Sequence, residues 1–138
     1  MPGMPWTPIT AQPDREYVVM ATRFVLTHHW QIPAVLRSTQ ALWPRLTTSE
    51  GFFGSSLEPD LRRRTLNTVS VWRDRDALGA FVRSEAHSRV VAQTRPCLAS
   101  STFATWTVLG AQLPVPWVLV RERLDAATNE SAPAVEAT

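Results

Sequence analysis

The chain has 138 residues, 44% hydrophobic and 19% charged, with a formal net charge of +2. That is one domain's worth of chain, long enough to bury a core without metal or disulfide staples, and too apolar to be disordered. No apolar run approaches the ~20 residues a bilayer span needs, and the single cysteine, Cys97, excludes an intrachain disulfide and the paired-cysteine zinc patterns.

Residues 1–15 contain four prolines and read as an N-terminal arm. They lack the charged-then-apolar order of a secretory signal, so a cytoplasmic protein is expected. A first strand is predicted from Glu16 to Leu26. It carries Val18, Met20, Phe24 and Leu26 on one face and Tyr17, Val19, Ala21, Arg23 and Val25 on the other. Both faces are largely apolar. Thr27 to Trp30, including His28 and His29, lead into a helix that repeats Ile32, Val35, Leu36, Thr39, Trp43 and Leu46, with Pro44 expected to kink or end it.

A short strand is predicted over 52–57 and another from Arg64 to Trp72. Asp74 suits the N-cap of the next helix, which carries Leu78, Phe81 and Val82. A further helix begins at Ser84 or Glu85, ends near Pro96, and sets His87, Val90, Val91 and Thr94 on one stripe. A fourth strand over 102–109 again alternates two apolar faces, and a closing helix spans 115–127 before a tail, 128–138, that reads as disordered. The domain is therefore placed at residues 16–127.

The order strand, helix, strand, strand, helix, strand, helix is that of the ferredoxin-like split βαβ arrangement, an α+β fold. Helices cover one face of such a sheet. Apolar residues on both faces of the first and last strands predict a cover for the other side, and a second copy of the chain is the simplest one. A homodimer with sheets packed face to face is expected.

The strand ending in Trp72 and the segment DALGAFVRSEAH behind it resemble the antibiotic biosynthesis monooxygenase (ABM) group of dimeric α+β barrel proteins. The ending FATWTVLGAQLPVPWVLVRERLDA is similar to a bacterial branch of the same superfamily. The resemblance covers about residues 16–127. It implies a dimeric α+β barrel and, among the activities of the group, cofactor-independent oxygenation of an aromatic or polycyclic metabolite. Haem binding or degradation is the alternative it carries. A non-catalytic binding protein and an acid–base cyclase or isomerase also stay open. Two departures bear on the subclass: Asn67 and Trp72 lie five apart, which puts them on opposite strand faces unless a bulge intervenes, and His87 lies farther behind Trp72 than the iron-ligating histidine of the haem-degrading type.

His87 is the candidate acid or base, either a pocket imidazole or a histidine packed on the sheet. Trp72, Trp106, Phe24, Trp43 and Phe81 are candidate walls for a flat aromatic ligand, and equally candidate core. Arg23 is a structural ion pair, a dimer contact or an anchor for an anion; Asn67 bonds either a ligand or a neighbouring loop. His28, His29 and His87 lack local metal-ligand spacing, so no metal is expected, and Cys97 reads as a small buried residue. Three adjacent arginines, 62 to 64, do not make a nucleic-acid surface, and no phosphate loop or nucleophile elbow is present in the sequence. The expected ligand is a small aromatic molecule, bound without a cofactor.

Overall fold

The computed structural model describes residues 6, 7 and 9–137, with side chains through Thr128. The elements are β1 (Glu16–Leu26), α1 (Ile32–Ala41), α2 (Trp43–Thr47), β2 (Phe52–Asp60), β3 (Thr65–Trp72), α3 (Arg75–Val82), α4 (Glu85–Thr94), β4 (Leu98–Leu109) and α5 (Trp117–Ala137). The strands form one antiparallel sheet in the order β2-β3-β1-β4, the ferredoxin-like α+β arrangement.

Four boundaries differ from the sequence reading, each for a local reason. The helix expected through Leu46 breaks at Leu42, just before Pro44, which sits in the first turn of the short α2, where its missing N–H costs nothing. β2 runs on through Pro59 to Asp60, which is possible because β2 is an edge strand. β4 begins at Leu98, since main-chain pairing with β1 extends to Leu26↔Leu98 across a register shift that skips Ala99. The final helix continues past residue 127 to Ala137, through a stretch rich in alanine and glutamate.

Unbroken pairing of β1 with β3 sorts the side chains onto two faces. Val18, Met20, Thr22 and Phe24 share a face with Trp72, Ser70, Thr68 and Leu66, and α1 to α4 lie over it. Two apolar clusters close its ends: Leu26, Ile32, Val35 and Leu66 at one, and Val18, Trp72 and Ala77 with Phe52, Leu78 and Phe81 at the other. Tyr17, Val19 and Ala21 share the opposite face with Val71, Val69, Trp106 and Val108.

That opposite face is not bare, which corrects the argument for a face-to-face homodimer. Val115, Val120 and Leu124, each at most 1% exposed, cover it from the chain's own C-terminal segment, with Trp117 beside them. The turn after β4 folds the chain beneath the sheet, where α5 occupies the place assigned to a second copy. The described part of the N-terminal arm closes the rest. Thr7 N–H donates to the Ser55 carbonyl at 3.1 Å, Gly110 N–H donates to the Arg15 carbonyl at 2.8 Å, and Trp6 and Ala11 pack on the cluster. Residues 1–5 and 8 of that arm lie outside the described residues.

A polar network fastens α5 to the sheet. Glu58, 4% exposed, accepts from Asn67 Nδ2 at 3.0 Å through one carboxylate oxygen and from Arg121 Nη1 through the other. Arg23 bridges Asn67 Oδ1 at 3.4 Å and Asp125 Oδ1 at 2.7 Å. Every buried carboxylate oxygen of Glu58 thus has a donor, as burial of its charge requires.

Candidate functional site

Between the helix-side face of the sheet and α1 to α4 lies a cavity of about 640 Å³. It exists because the middle of that face is built from small side chains. Ser55, Ser70, Thr22 and Thr68 lie between the two apolar clusters and leave volume that Leu or Phe would fill. Leu42, Trp43 and Leu46 from α1–α2 and Leu78, Phe81 and Val91 from α3–α4 form the roof. Phe24 and Phe103 stand at the β1–β4 side with their rings edge to face, 6.5 Å apart, and Phe103 is 54% exposed.

His87 lines this cavity. Two hydrogen bonds fix its place. Ser84 caps α4, its hydroxyl accepting from the His87 amide at 3.3 Å, and the imidazole Nδ1 lies 3.1 Å from the Val82 carbonyl. A carbonyl only accepts, so Nδ1 carries the proton and Nε2 is left as the unprotonated ring nitrogen. Val82 ends α3, and its carbonyl is one of those a helix terminus leaves without an intrahelical donor. Burial pushes the imidazole below its ordinary value of 6.5, and the Val82 bond opposes that shift without cancelling it. The ring is therefore neutral at pH 7 and is a base.

An aromatic series backs the imidazole. Phe52 meets Trp72 at 5.6 Å, Trp72 meets Phe81 at 5.2 Å, and Phe81 meets the His87 ring edge to face at 5.3 Å. Trp72 is wholly buried, and its Nε1–H donates to Ser70 Oγ at 2.8 Å. It stands behind the wall rather than on it, holding Phe81 and orienting one floor hydroxyl.

The residues singled out from sequence divide by face. Phe24, Trp43, Phe81 and His87 come together around the cavity, and Trp72 supports them. Trp106, Arg23 and Asn67 lie on the other side of the sheet, beneath α5. Trp106 is 7% exposed with the Arg123 guanidinium 5.2 Å over its ring, and Arg23 and Asn67 belong to the Glu58 network. Strand parity is the reason: Arg23 neighbours Phe24, and Trp106 pairs with Val19 while Phe103 pairs with Thr22. Asn67 and Trp72 stand on opposite faces because no bulge interrupts β1–β3 pairing.

His28 and His29 lie on an exposed turn, where His28 stacks on Trp30 at 4.1 Å, and neither lines the cavity. Among the described residues no three His, Cys, Asp or Glu side chains group as metal ligands, and no helix is long and apolar enough to cross a membrane. Cys97 is half-buried beside Leu26 and Leu66. The floor hydroxyls escaped sequence reasoning. Their signal was present in β3, where Thr68 and Ser70 interrupt the apolar parity of Leu66 and Trp72.

Solved structures with this fold include an antibiotic biosynthesis monooxygenase: TM-score 0.56, 20% identity, 65% of this chain and 95% of that one covered. A protein from Shewanella oneidensis gives 0.62 at 16% identity, covering 69% of this chain and 93% of its own. One from Pseudomonas aeruginosa gives 0.59 at 19%, covering 72% and 100%. The chain has the ABM-like α+β fold. No family model matches it, and no curated protein matches it in sequence.

Proposed function

We propose that the protein is a cofactor-independent monooxygenase of the ABM type, acting on an aromatic or polycyclic phenol, with His87 as the base. The observation that carries this reading is the His87 ring: neutral, tied at Nδ1 to Val82, and lining a cavity large enough for a flat multi-ring molecule. The likeness to an antibiotic biosynthesis monooxygenase supports the same class.

The chemistry needs no outside reductant. His87 Nε2 takes the proton of a phenolic ligand, and the resulting anion delocalises onto an activated ring carbon. Dioxygen adds there. A CH₂ group flanked by phenolic rings becomes C=O, one oxygen atom staying on carbon and the other leaving as water with the two hydrogens. The substrate supplies all four electrons. Roof residues Trp43 and Phe81 hold the rings and exclude water from the anion.

In this reading the protein works in the cytoplasm as a homodimer. With the sheet face closed by α5, the second copy pairs along the free edge of β4, whose residues 98–109 carry neither charge nor proline. Size-exclusion chromatography with light scattering reads that state directly.

The test of activity is oxygen uptake with 1,8-dihydroxyanthrone as probe. His87→Gln should lower turnover by at least tenfold while leaving probe affinity within about twofold, as loss of a proton-transfer group does. Unchanged turnover would reject the role of His87. Product formed without oxygen uptake would mark an acid–base cyclase or isomerase. Binding without turnover would mark a binding protein, and a Soret band on the purified protein that is lost in His87→Ala would mark a haem protein.

A further inference from the structure

The cavity has two unlike sides. Its roof is apolar and aromatic, but its floor is a field of hydroxyls. Register across the sheet sets Leu57, Thr68, Thr22 and Phe103 in one row and Ser55, Ser70, Met20 and Thr105 in the next. Thr22 and Thr68 are therefore direct cross-strand neighbours on the cavity face, with Ser70 and Ser55 one row away.

These hydroxyls are not used up by the fold. Thr22, 6% exposed, lines the cavity from the floor. Thr68, half-buried, lines it directly across from Thr22. Ser55 is 3% exposed and its Oγ is unpartnered. Ser70 accepts from Trp72, which leaves its own O–H proton free to donate. The buried, unpartnered Ser55 hydroxyl costs roughly 1–3 kcal/mol, and Val at either Thr position would keep shape and strand propensity while making the floor apolar. Keeping such hydroxyls beneath an apolar roof makes sense where something in the cavity bonds to them.

The charge pattern narrows what that is. Of the side chains lining the cavity, only His87 and Arg95 are ionisable, and Arg95 is exposed at the end of α4. The floor side chains themselves, Thr22, Thr68, Ser55 and Ser70, carry no charge to pair with a carboxylate, sulfonate or phosphate. An anionic group seated there would be desolvated without a counter-charge, whereas a hydroxyl or quinone carbonyl would be satisfied by Thr and Ser hydroxyls.

We infer that the cavity selects an uncharged ring system bearing hydroxyl or carbonyl oxygens on the side that meets the sheet, and that Thr22 and Thr68 are the residues that read those oxygens. This rests on the cavity being the ligand site proposed above and goes further in naming which ligand edge faces which wall. Thr22 and Thr68 act on affinity and specificity; the proton chemistry stays with His87 across the cavity.

Binding separates the two claims. Quenching of tryptophan fluorescence is titrated with 1,8-dihydroxyanthraquinone, with anthracene and with anthraquinone-2-carboxylate, on the wild type, Thr22→Val and Thr68→Val. Thr105→Val, on the exposed part of β4, is the control. Each of the two cavity variants should weaken the dihydroxy probe about 5- to 10-fold, the net worth of one hydrogen bond, and leave anthracene within twofold. In the wild type the carboxylate should bind at least about tenfold more weakly than the dihydroxy probe. Val variants that hold the dihydroxy probe as tightly as wild type, or a carboxylate that binds equally well, would overturn the inference and leave the cavity reading standing. If none of the three probes binds the wild type, the cavity reading itself falls, and this inference with it. Thermal midpoints for both variants within a few degrees of wild type will confirm that the fold is kept.

Discussion

Removing Arg121 tests whether α5 is truly seated on the sheet. Glu58 is 4% exposed, and its carboxylate has two donors, Asn67 Nδ2 at 3.0 Å and Arg121 Nη1. In Arg121→Ala the carboxylate keeps the amide and loses the cation. Breaking a fully buried pair from one side costs about 3–5 kcal/mol. The Arg121 side chain is 38% exposed, so water enters from that side as the guanidinium leaves, and the expected loss falls to about 2 kcal/mol. With an m-value of about 2 kcal/mol/M, the urea midpoint followed by far-ultraviolet circular dichroism should drop by roughly 1 M. Adding Glu58→Gln removes the stranded charge while leaving an oxygen for Asn67. The double variant should therefore recover at least half of the loss. A decrease of less than about 0.5 kcal/mol, typical of exposed pairs, would show that the Glu58–Arg121 contact does not fasten α5.

Four further outcomes follow from the same geometry. The folded protein holds the His87 imidazole below its ordinary value of 6.5, so the unfolded chain binds the proton more readily; stability is kept above pH 6.5 and falls as pH drops from there through the lowered value, and thermal melts of His87→Gln should lack that acid-side loss. In the oxygen-uptake assay kcat/KM should be level near pH 7 and fall on the acid side as His87 takes up its proton, below rather than at 6.5. A Cβ at Gly110 would collide with the Gln12 carbonyl, so Gly110→Ala should cost about 1–3 kcal/mol and speed proteolysis of the arm, read by limited digestion. Leu124→Ala, at a wholly buried α5 position, should cost about 2–4 kcal/mol in the same urea titration.

Strands β1 and β3 and helices α3 and α4 were legible because a two-residue or 3.6-residue apolar period marks each, and Asp74 and Ser84 cap the helices as their residue types suggest. Four of the cavity-side candidates, Phe24, Trp43, Phe81 and His87, came from the same patterns. What failed was the assignment of sides. Arg23 and Phe24 are adjacent in a strand and cannot line one cavity, so parity alone could have removed one of them. Trp106 needed more, since its face depends on the β1–β4 register, which pairs it with Val19. The cover over the second face was misassigned for a different reason. Two apolar faces show that something must pack there, but not whether it comes from the same chain. Val120 and Leu124, four apart on one helical stripe, were the available sign that α5 does.

The proposed chemistry turns on one imidazole, and nitrogen-15 NMR of histidine-labelled protein reads it directly. At pH 7 His87 should show a protonated Nδ1 and a bare Nε2, and 1,8-dihydroxyanthraquinone should move its Nε2 resonance while His28 and His29 stay where they are. A His87 protonated at Nε2, or one whose resonances ignore a ligand that demonstrably binds, would contradict the placement of the working base in this cavity.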